Sequence, residues 1–557
     1  MIKRLFNKEI NSITVAAILV ALSSLVSRLL GVLRDHILAG QFGAGATLDA
    51  YYAAFRVPDL IFNLLVLGAL SAGLIPVFTC LVKDFKGTLT NLFGLENTEA
   101  WRLINNILNL ILISLGVLSA LGIIFADPII RTVIAPGFSP AMQARTAELS
   151  RIMFLSPIIL AISSIFSGVL QTFKRFFVYS LAPIMYNIGI IGGALFLVPI
   201  WGINGLAWGV VFGALLHMLI QLPAVFALGY KYRPFLDLRD VHLRKILMMM
   251  VPRTLSLAVS QLNLVVITVI ASGLASGSLT VFNLANNLQY FPIGIFGVSF
   301  AIAAFPSLAA ATFDNKKLVR NFSWTIRQIL FFIVPSTILL LVLRAQIVRV
   351  VLGSGNFTWQ DTMLTFTTLG FFSVSLFAQA TAPLLIRVFY VKEDSTTPFV
   401  IGIISVVAER IIALYLVNRM GVGGLALAFS LANILNFILL WLMLHLRLGD
   451  LNEGKILLSV LKFSLAGLVC GFVAQEMKGI IWPAIDMTRF LGVLVQGAAA
   501  GICGLLVYAI VCALLRSEEM ASFISSAKSR LLRIMAKNPP AAIQSIDSIE
   551  DVDKNSL

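Results

Sequence analysis

The sequence predicts an all-α integral membrane protein with about fourteen transmembrane helices. Of the 557 residues, 59% are hydrophobic, against roughly 45–50% in ordinary soluble domains. Charged residues make up only 12%, and the mean hydropathy is +0.96. Apolar runs long enough to cross a bilayer, which takes about 20 residues, recur along most of the chain. A single anchor attached to a soluble domain is therefore excluded.

Polar or glycine- and proline-rich stretches separate the candidate spans. The spans cover residues 12–34, 50–82, 103–125, 148–172, 178–199, 203–229, 245–271, 279–311, 325–343, 361–388, 397–417, 422–446, 456–476 and 488–515. Pro58, Pro292 and Pro383 fall inside the longest of them. Because proline interrupts helical hydrogen bonding, we expect helix breaks at these three positions.

The net charge of +15 fits the rule that cytoplasmic loops are rich in Lys and Arg. If both termini are cytoplasmic, most of the 41 basic residues lie in cytoplasmic segments. They are scattered among loops rather than gathered in one domain, so no nucleic-acid partner is expected. The polar C-terminal tail predicts a surface helix over 521–537 followed by disorder.

The chain repeats itself. GINGLA at 202–207 recurs as GVGGLA at 421–426, and QTFKRFFVYSLAP at 171–183 parallels RVFYVKEDSTTP at 387–398. Internal duplication is common in transporters, whose sites lie between the two copies. We therefore predict two pseudo-symmetric six-helix lobes plus two C-terminal helices. The predicted boundaries are an N-lobe at 1–235, a C-lobe at 236–448, two additional spans at 449–515 and a cytoplasmic tail at 516–557.

Span 1 carries charges where lipid-facing helices carry none. Arg28, Asp35, Ser24 and Gly31 fall on one helical face, and Arg34 flanks this stripe. Arginine at the bilayer centre costs roughly 2.5–3.5 kcal/mol, so such residues usually face a bundle interior or a wet cavity. We expect Asp35 to pair with Arg28, which leaves Arg34 freer.

Further charges stand at the entry to span 2. Arg56 and Asp59 begin this span, and Asp49 precedes them. Two interpretations are open: snorkelling or structural ion pairs, or a cationic cavity for an anionic substrate. Guanidinium suits phosphate because it stays charged and offers two parallel donors.

The equivalent entry in the second half is polar but neutral. Asn283, Asn286, Asn287 and Gln289 occupy it, and they serve either to bond sugar hydroxyls or amides or to cap and pack helices. Enzyme motifs for nucleotide, zinc or serine chemistry are absent from the sequence, and the cysteines and histidines lack metal-ligand spacing. We expect no enzyme activity, no metal and no cofactor.

SRLLGVLRD followed by FGAGATLDAYYAAFRVPD resembles the first hairpin of the MurJ (MviN) family, the lipid II flippases of peptidoglycan synthesis. APGF, QTFKRFFVYSLAP and GINGLAWG are also similar to that family. The resemblance spans most of the chain. It implies the fold of the multidrug/oligosaccharidyl-lipid/polysaccharide exporter superfamily, with two lobes in a V around a central cavity. It also implies a lipid-facing groove made by spans 13 and 14.

Carried over by position, the family motifs fall on named residues. Arg28, Arg34 and Asp35 match the first-span motif, Asp49 matches the aspartate after FGAG, and Arg56 matches a basic residue ahead of the proline. The chain departs from the family pattern twice. LIFNLLVLGAL stands where members often carry charges in span 2, and Asn287 stands where well-known members carry a span 8 arginine.

The resemblance implies a flippase that moves lipid II from the cytoplasmic to the outer leaflet by alternating access. Its cationic cavity would bind the diphosphate-sugar headgroup through Arg28, Arg34, Asp35, Asp49, Arg56, Asp59 and Asn287. The implied location is the bacterial cytoplasmic (inner) membrane, with both termini cytoplasmic. The implied partners are lipid II, membrane lipids and proteins of cell-wall synthesis. Two alternatives stay open: a flippase for another polyprenyl-diphosphate-linked saccharide, and a non-transporting scaffold of the cell-wall machinery.

Overall fold

The computed structural model describes residues 13–67, 73–86 and 99–535, and these ranges contain helices and turns but no strands. The main helices are α1 Ile13–Phe42, α2 Ala46–Ala54, α3 Arg56–Phe62, α4 Ile75–Lys86, α5 Glu99–Ile124, α6 Pro140–Met153, α7 Leu155–Thr172, α8 Phe176–Gly192, α9 Ile203–Leu219, α10 Val241–Ser272, α11 Ser278–Pro292, α12 Ser299–Ala309, α13 Asn315–Val342, α14 Arg344–Leu352, α15 Trp359–Ser373, α16 Leu376–Val391, α17 Thr396–Leu448, α18 Glu453–Ile481, α19 Phe490–Leu514 and α20 Glu518–Met535.

The all-α membrane fold is confirmed. Within the described ranges, nine helices are long and apolar enough to cross a membrane, and a tenth span results if α15 and α16 are joined. The predicted count of fourteen stays a prediction. The helix predicted at 521–537 is present as α20, and its place at a surface stays a prediction, whereas the tail predicted to be disordered and residues 1–12 lie outside the described residues.

Two of the three proline expectations are confirmed. The chain breaks at Phe55, three residues before Pro58, and Pro292 ends α11 and is followed by a π-helical turn over Ile293–Val298. The expectation at Pro383 was wrong, because this residue lies inside α16. The bend of 47° precedes it, between α15 and α16.

The sequence repeat is also a repeat of backbone conformation. Gly202 has φ 59° and ψ −143°, and its counterpart Gly421, inside the 53-residue α17, has φ 54° and ψ −134°. Lys174 and Glu393, which are separated by the same 219 positions as Gly202 and Gly421, both adopt positive φ, at 55° and 58°. Residues other than glycine rarely adopt positive φ. Matched pairs at equivalent places therefore support the duplication that the sequence predicts. We call α1–α9 the N-terminal half and α10–α17 the C-terminal half.

The two ends of the bundle are named by the segments that lie there. The linker between the halves, residues 227–240, lies at one end, which we call the linker end. Phe42 at the end of α1 lies at the other, which we call the gate end. Helices α18 and α19 pack against α13 of the C-terminal half, where the Tyr508 hydroxyl donates to the carbonyl of Phe331 at 2.8 Å.

Three asparagines of α5 fasten the linker to the N-terminal half. The Asn106 side chain donates to the Asp237 carbonyl and accepts from the Asp237 N–H, both at 2.8 Å. Asn105 and Asn109 bond other backbone groups of segment 230–237. This segment is non-helical, so these bonds replace those that a helix would supply.

Replacing Asn106 with leucine is expected to destabilise this attachment. Asn106 is fully buried, and its loss leaves the Asp237 N–H without a partner and the Asp237 carbonyl with only the 3.4 Å bond from the Asp240 N–H. At about 1–3 kcal/mol for one unsatisfied group, the variant is expected to lose roughly 1–3 kcal/mol of stability. Thermal unfolding of the purified protein measures this. Asn418→Leu is the control, because Asn418 bonds only within its own helix and is exposed. Equal melting temperatures for the two variants would contradict the assigned role.

Candidate functional site

The charged stripe of α1 faces the C-terminal half, but its pairing differs from the expectation. Asp35 is buried and accepts from Arg34, with Nη2 at 2.8 Å and Nε at 3.0 Å from Oδ1. Asn287 of α11 donates to the other Asp35 oxygen at 2.9 Å. The expected Asp35–Arg28 pair was therefore wrong. The Arg34 chain is long enough to fold back onto the adjacent aspartate, and Asp35 thus joins both halves.

Arg28 is the α1 arginine without a counter-charge. Its guanidinium lies against Gly294 in the π-helical turn after α11, so close that a Cβ on Gly294 would stand 2.0 Å from Nη1. Within the described part of the chain, no acidic side chain pairs with Arg28 and no hydrogen bond holds it. The guanidinium spans the boundary between the halves because position 294 lacks a side chain.

Arg56 also crosses between the halves. Its Nε donates to Thr268 Oγ1 of α10 and its Nη2 donates to Asn283 Oδ1 of α11, both at 2.8 Å. Asp59 lies one turn further along α3, and Asn63 bonds its carbonyl rather than its carboxylate. In the ranges that the structure describes, no salt bridge involves the Asp59 carboxylate. Arg56 is therefore held by neutral acceptors, with a carboxylate nearby.

Asp49 occupies a different position, at the gate end. Its carboxylate accepts from the Gly277 N–H at 2.6 Å, the Thr280 N–H at 2.7 Å and the Thr280 hydroxyl at 2.6 Å. Asp49 is buried and caps the start of α11 from the other half of the molecule. Gly277 has φ 92°, and a Cβ there would lie 2.1 Å from the Ala44 carbonyl oxygen. The two halves are in backbone contact here.

Further contacts close the gate end. His36 Nδ1 lies 2.7 Å from the carbonyl oxygen of Val351. The Asn356 N–H donates to the Gly40 carbonyl at 2.8 Å, and the Asn356 side chain donates to the Gln41 carbonyl at 2.6 Å. We call these contacts, together with those of Asp49, the gate. The gate joins α1 and α2 to the start of α11, the end of α14 and the loop before α15.

The structure thus sorts the predicted site residues into two groups. Arg28, Arg34, Asp35, Arg56 and Asn287 meet along the boundary between α1, α3 and α11, with Asp59 one turn away. Asp49 belongs to the gate.

The neutral polar row of α11 divides in the same way. Asn283 and Asn287 reach the N-terminal half. Gln289 instead donates to Asn286 at 2.9 Å and accepts from Gln379 at 3.1 Å, so these residues pack inside the C-terminal half. We predicted the same roles for all four residues, although the spacing of four residues puts Asn283 and Asn287 on one helical face. Thr268, Thr280 and Gly294 carried no comparable signal.

The family of the chain follows from comparison with known proteins. The model of the family described as "Lipid II flippase MurJ" matches residues 38–491. The chain belongs to the MurJ family. It is 30% identical over 473 residues to the "Probable lipid II flippase MurJ" of Buchnera aphidicola subsp. Acyrthosiphon pisum, which covers 83% of this chain and 90% of that protein. It is also 30% identical over 434 residues to the "Lipid II flippase MurJ" of Burkholderia cenocepacia, with 76% and 82% covered.

Solved structures of this family and its neighbours share the fold. The structure named "Lipid II flippase MurJ, inward closed conformation" superposes with a TM-score of 0.70 at 24% identity, covering 89% of this chain and 98% of that one. An inward-facing multidrug transporter of the MATE family gives a TM-score of 0.63 at 15% identity, covering 77% and 96%. The MurJ-family membership and the exporter-superfamily fold expected from the resemblance are confirmed, and the chain is a multi-pass membrane protein.

Proposed function

We propose that this protein is a flippase that translocates lipid II across the bacterial inner membrane by alternating access. In the proposed orientation the linker end and both termini face the cytoplasm, and the gate end faces outward. The substrate headgroup enters between the halves from the linker end. Opening of the gate then exposes it to the outer leaflet.

One observation carries this proposal: the Arg28 guanidinium stands at the boundary between the halves without a counter-charge. An unpaired cation inside a membrane protein is costly, so its retention indicates an anionic ligand that completes it. Guanidinium binds diphosphate through parallel charge-assisted hydrogen bonds. We assign Arg28 to the diphosphate, and Arg34, Asp35, Arg56, Asp59 and Asn287 to the surrounding headgroup.

The Asp35 contacts supply a way to couple binding to gate opening. Asp35 holds Arg34 and Asn287 together in this structure. A diphosphate that approaches Arg34 competes with Asp35 for the guanidinium. Release of Asp35 also weakens its bond to Asn287, which lies in the other half. Substrate binding therefore loosens a contact that holds the halves together.

An apolar groove offers a place for the polyprenyl tail. It encloses about 1000 Å³ between α13, α17 and α18, and Leu330, Phe437 and Leu457 are among its lining residues. Its polar end is formed by Glu453, which accepts from the Trp441 indole at 3.1 Å and lies 2.9 Å from His445 Nδ1. A long hydrocarbon chain suits such a lining, because moving the chain from the lipid into an apolar groove costs little free energy.

Complementation tests the function. The full-length protein is expressed in a bacterial strain depleted of its own lipid II flippase, and surface-exposed lipid II is measured in parallel with growth. We expect growth to be restored together with lipid II translocation, relative to empty vector. Growth without restored translocation would indicate the scaffold role. Neither growth nor translocation at normal protein levels would contradict the proposal and favour another polyprenyl-diphosphate-linked saccharide as substrate.

A further inference from the structure

The C-terminal helix α20 is rooted in the membrane domain by a buried ion-pair cluster. Arg327 of α13 is buried, and its Nη1 lies 2.9 Å from Glu518 Oε2 and 2.9 Å from Glu519 Oε1. Glu519 is also buried, and it accepts from the Ser459 hydroxyl of α18 at 2.9 Å. The hydrogen bond from Arg327 lowers the pKa of Glu518, which keeps that carboxylate charged. The start of α20 is therefore fixed relative to α13 and α18.

The position of this root places α20 at the membrane boundary. Helix α19 is one of the spans and ends at Leu514, and α20 begins at Glu518 after a short turn. The Lys462 ammonium donates to the Arg516 carbonyl at 3.2 Å and fastens this turn to α18. The chain has no room to leave the interface before α20 begins.

One face of α20 is apolar, and the rest of the protein covers only part of it. Met520 is buried, and the Phe523 ring lies 5.9 Å from the Phe332 ring, yet 49% of Phe523 and 48% of Ile524 are exposed. The spacing of Leu531 and Ile534 in the sequence continues the same helical face. Phe523 and Ile524 therefore present apolar surface that the protein does not cover, and water is a poor solvent for it.

The charges of α20 complement an anionic surface. No acidic residue occurs in 520–538, whereas Lys528, Arg530, Arg533 and Lys537 are basic. By helical spacing, Lys528 and Arg530 fall on the two borders of the apolar face, where a long basic side chain reaches headgroups while its stem stays in hydrocarbon. Lys528 is exposed. The pattern is that of a helix lying in a membrane interface.

We propose that α20 lies in the leaflet at the linker end and that its basic borders bind anionic phospholipid headgroups. The apolar face enters the acyl boundary, and the buried Arg327–Glu519 pair couples the helix to the C-terminal half. The surface is separate from the site between the halves, and the inference holds whatever the transported lipid is.

Hydrogen–deuterium exchange of the full-length protein in nanodiscs tests this inference. One set of nanodiscs contains phosphatidylcholine alone, and the other contains phosphatidylcholine mixed with phosphatidylglycerol. Each basic residue near an anionic surface contributes about a fivefold gain in binding, so three predict slower exchange of amides 521–535 by a factor on the order of 100 in the anionic nanodiscs. The difference is expected to shrink at high salt.

Variants separate charge from helix formation. K528Q/R530Q/R533Q is expected to lose the dependence on phosphatidylglycerol. The matched control S522Q/S525Q/S529Q, on the face opposite the apolar residues, is expected to retain it. Equal exchange of the unmodified protein in the two lipids would overturn the inference. So would a triple basic variant that keeps the full dependence on phosphatidylglycerol, since the basic borders would then not be what binds the anionic headgroups.

Discussion

Replacing Arg28 with alanine is expected to lower lipid II translocation by a factor on the order of 100 without unfolding the protein. The loss follows from removing one hydrogen-bonding cation from an anionic headgroup, at about 1.5–3 kcal/mol for bonds to charged groups. The fold is expected to persist because Arg28 has no ion pair or hydrogen bond to lose in the described structure. The measurement is lipid II exposure at the outer surface of cells that depend on the variant.

Two companion variants test the geometry. Arg28→Lys keeps the charge but not the parallel donors, and partial activity is expected. Gly294→Ala places a Cβ where the guanidinium now lies, and only the flexible end of Arg28 has to move. It is therefore expected to fold normally and to impair transport. Gly116→Ala, whose Cβ meets open space, is the control. Normal translocation by Arg28→Ala at normal protein levels would refute the role of this residue.

Replacing Asp49 with alanine is expected to shift the protein toward conformations with an open gate. The substitution removes three hydrogen bonds across the halves and leaves the Gly277 and Thr280 N–H groups unpaired while the gate is closed. In the open state these N–H groups form hydrogen bonds with water. The substitution therefore destabilises only the closed state. At roughly 3 kcal/mol, the closed population relative to the open one falls about 100-fold.

A disulfide reports the state of the gate. A Cβ on Gly40 would lie 3.6 Å from the Ser354 Cβ, which suits a disulfide between the halves. In a background without the native cysteines, G40C/S354C is expected to cross-link rapidly, and the addition of Asp49→Ala is expected to slow this more than tenfold. Asp127→Ala is the control, because Asp127 pairs with Arg151 inside the N-terminal half. Unchanged cross-linking with Asp49→Ala would contradict its place in the gate.

The sequence predicted the parts of the site that depend on one helix. The α1 stripe follows from helical periodicity, the polar row of α11 follows from its place in the repeat, and the glycine repeat recurs in the backbone at Gly202 and Gly421. The partner of Asp35 was mispredicted, because periodicity gives the direction of a side chain at its root and not the reach of a long arginine. Arg34 bends back to its neighbour, and Arg28 extends to Gly294 instead.

The contacts between the halves could not be predicted from the sequence, for a physical reason. Arg56 meets Thr268 and Asn283, which are more than two hundred residues away along the chain, and no local pattern relates them. Asp49 was assigned to the substrate site because it matches the aspartate that follows FGAG in the family motif. Its partners are backbone N–H groups, which every residue type supplies and which a sequence therefore does not display. Pro383 shows that a helix can contain a proline without bending most at that residue.

The pairing of Arg34 with Asp35 has an electrical consequence. It leaves Arg28 as the uncompensated cation of the α1 stripe, so the return of the empty carrier moves about one elementary charge, worth roughly 2.3 kcal/mol per 100 mV of membrane potential. In the proposed orientation, we expect an inside-negative voltage to pull this charge back toward the cytoplasm after release. A transient capacitive current that Arg28→Ala abolishes is the expected signature of a reset driven by voltage.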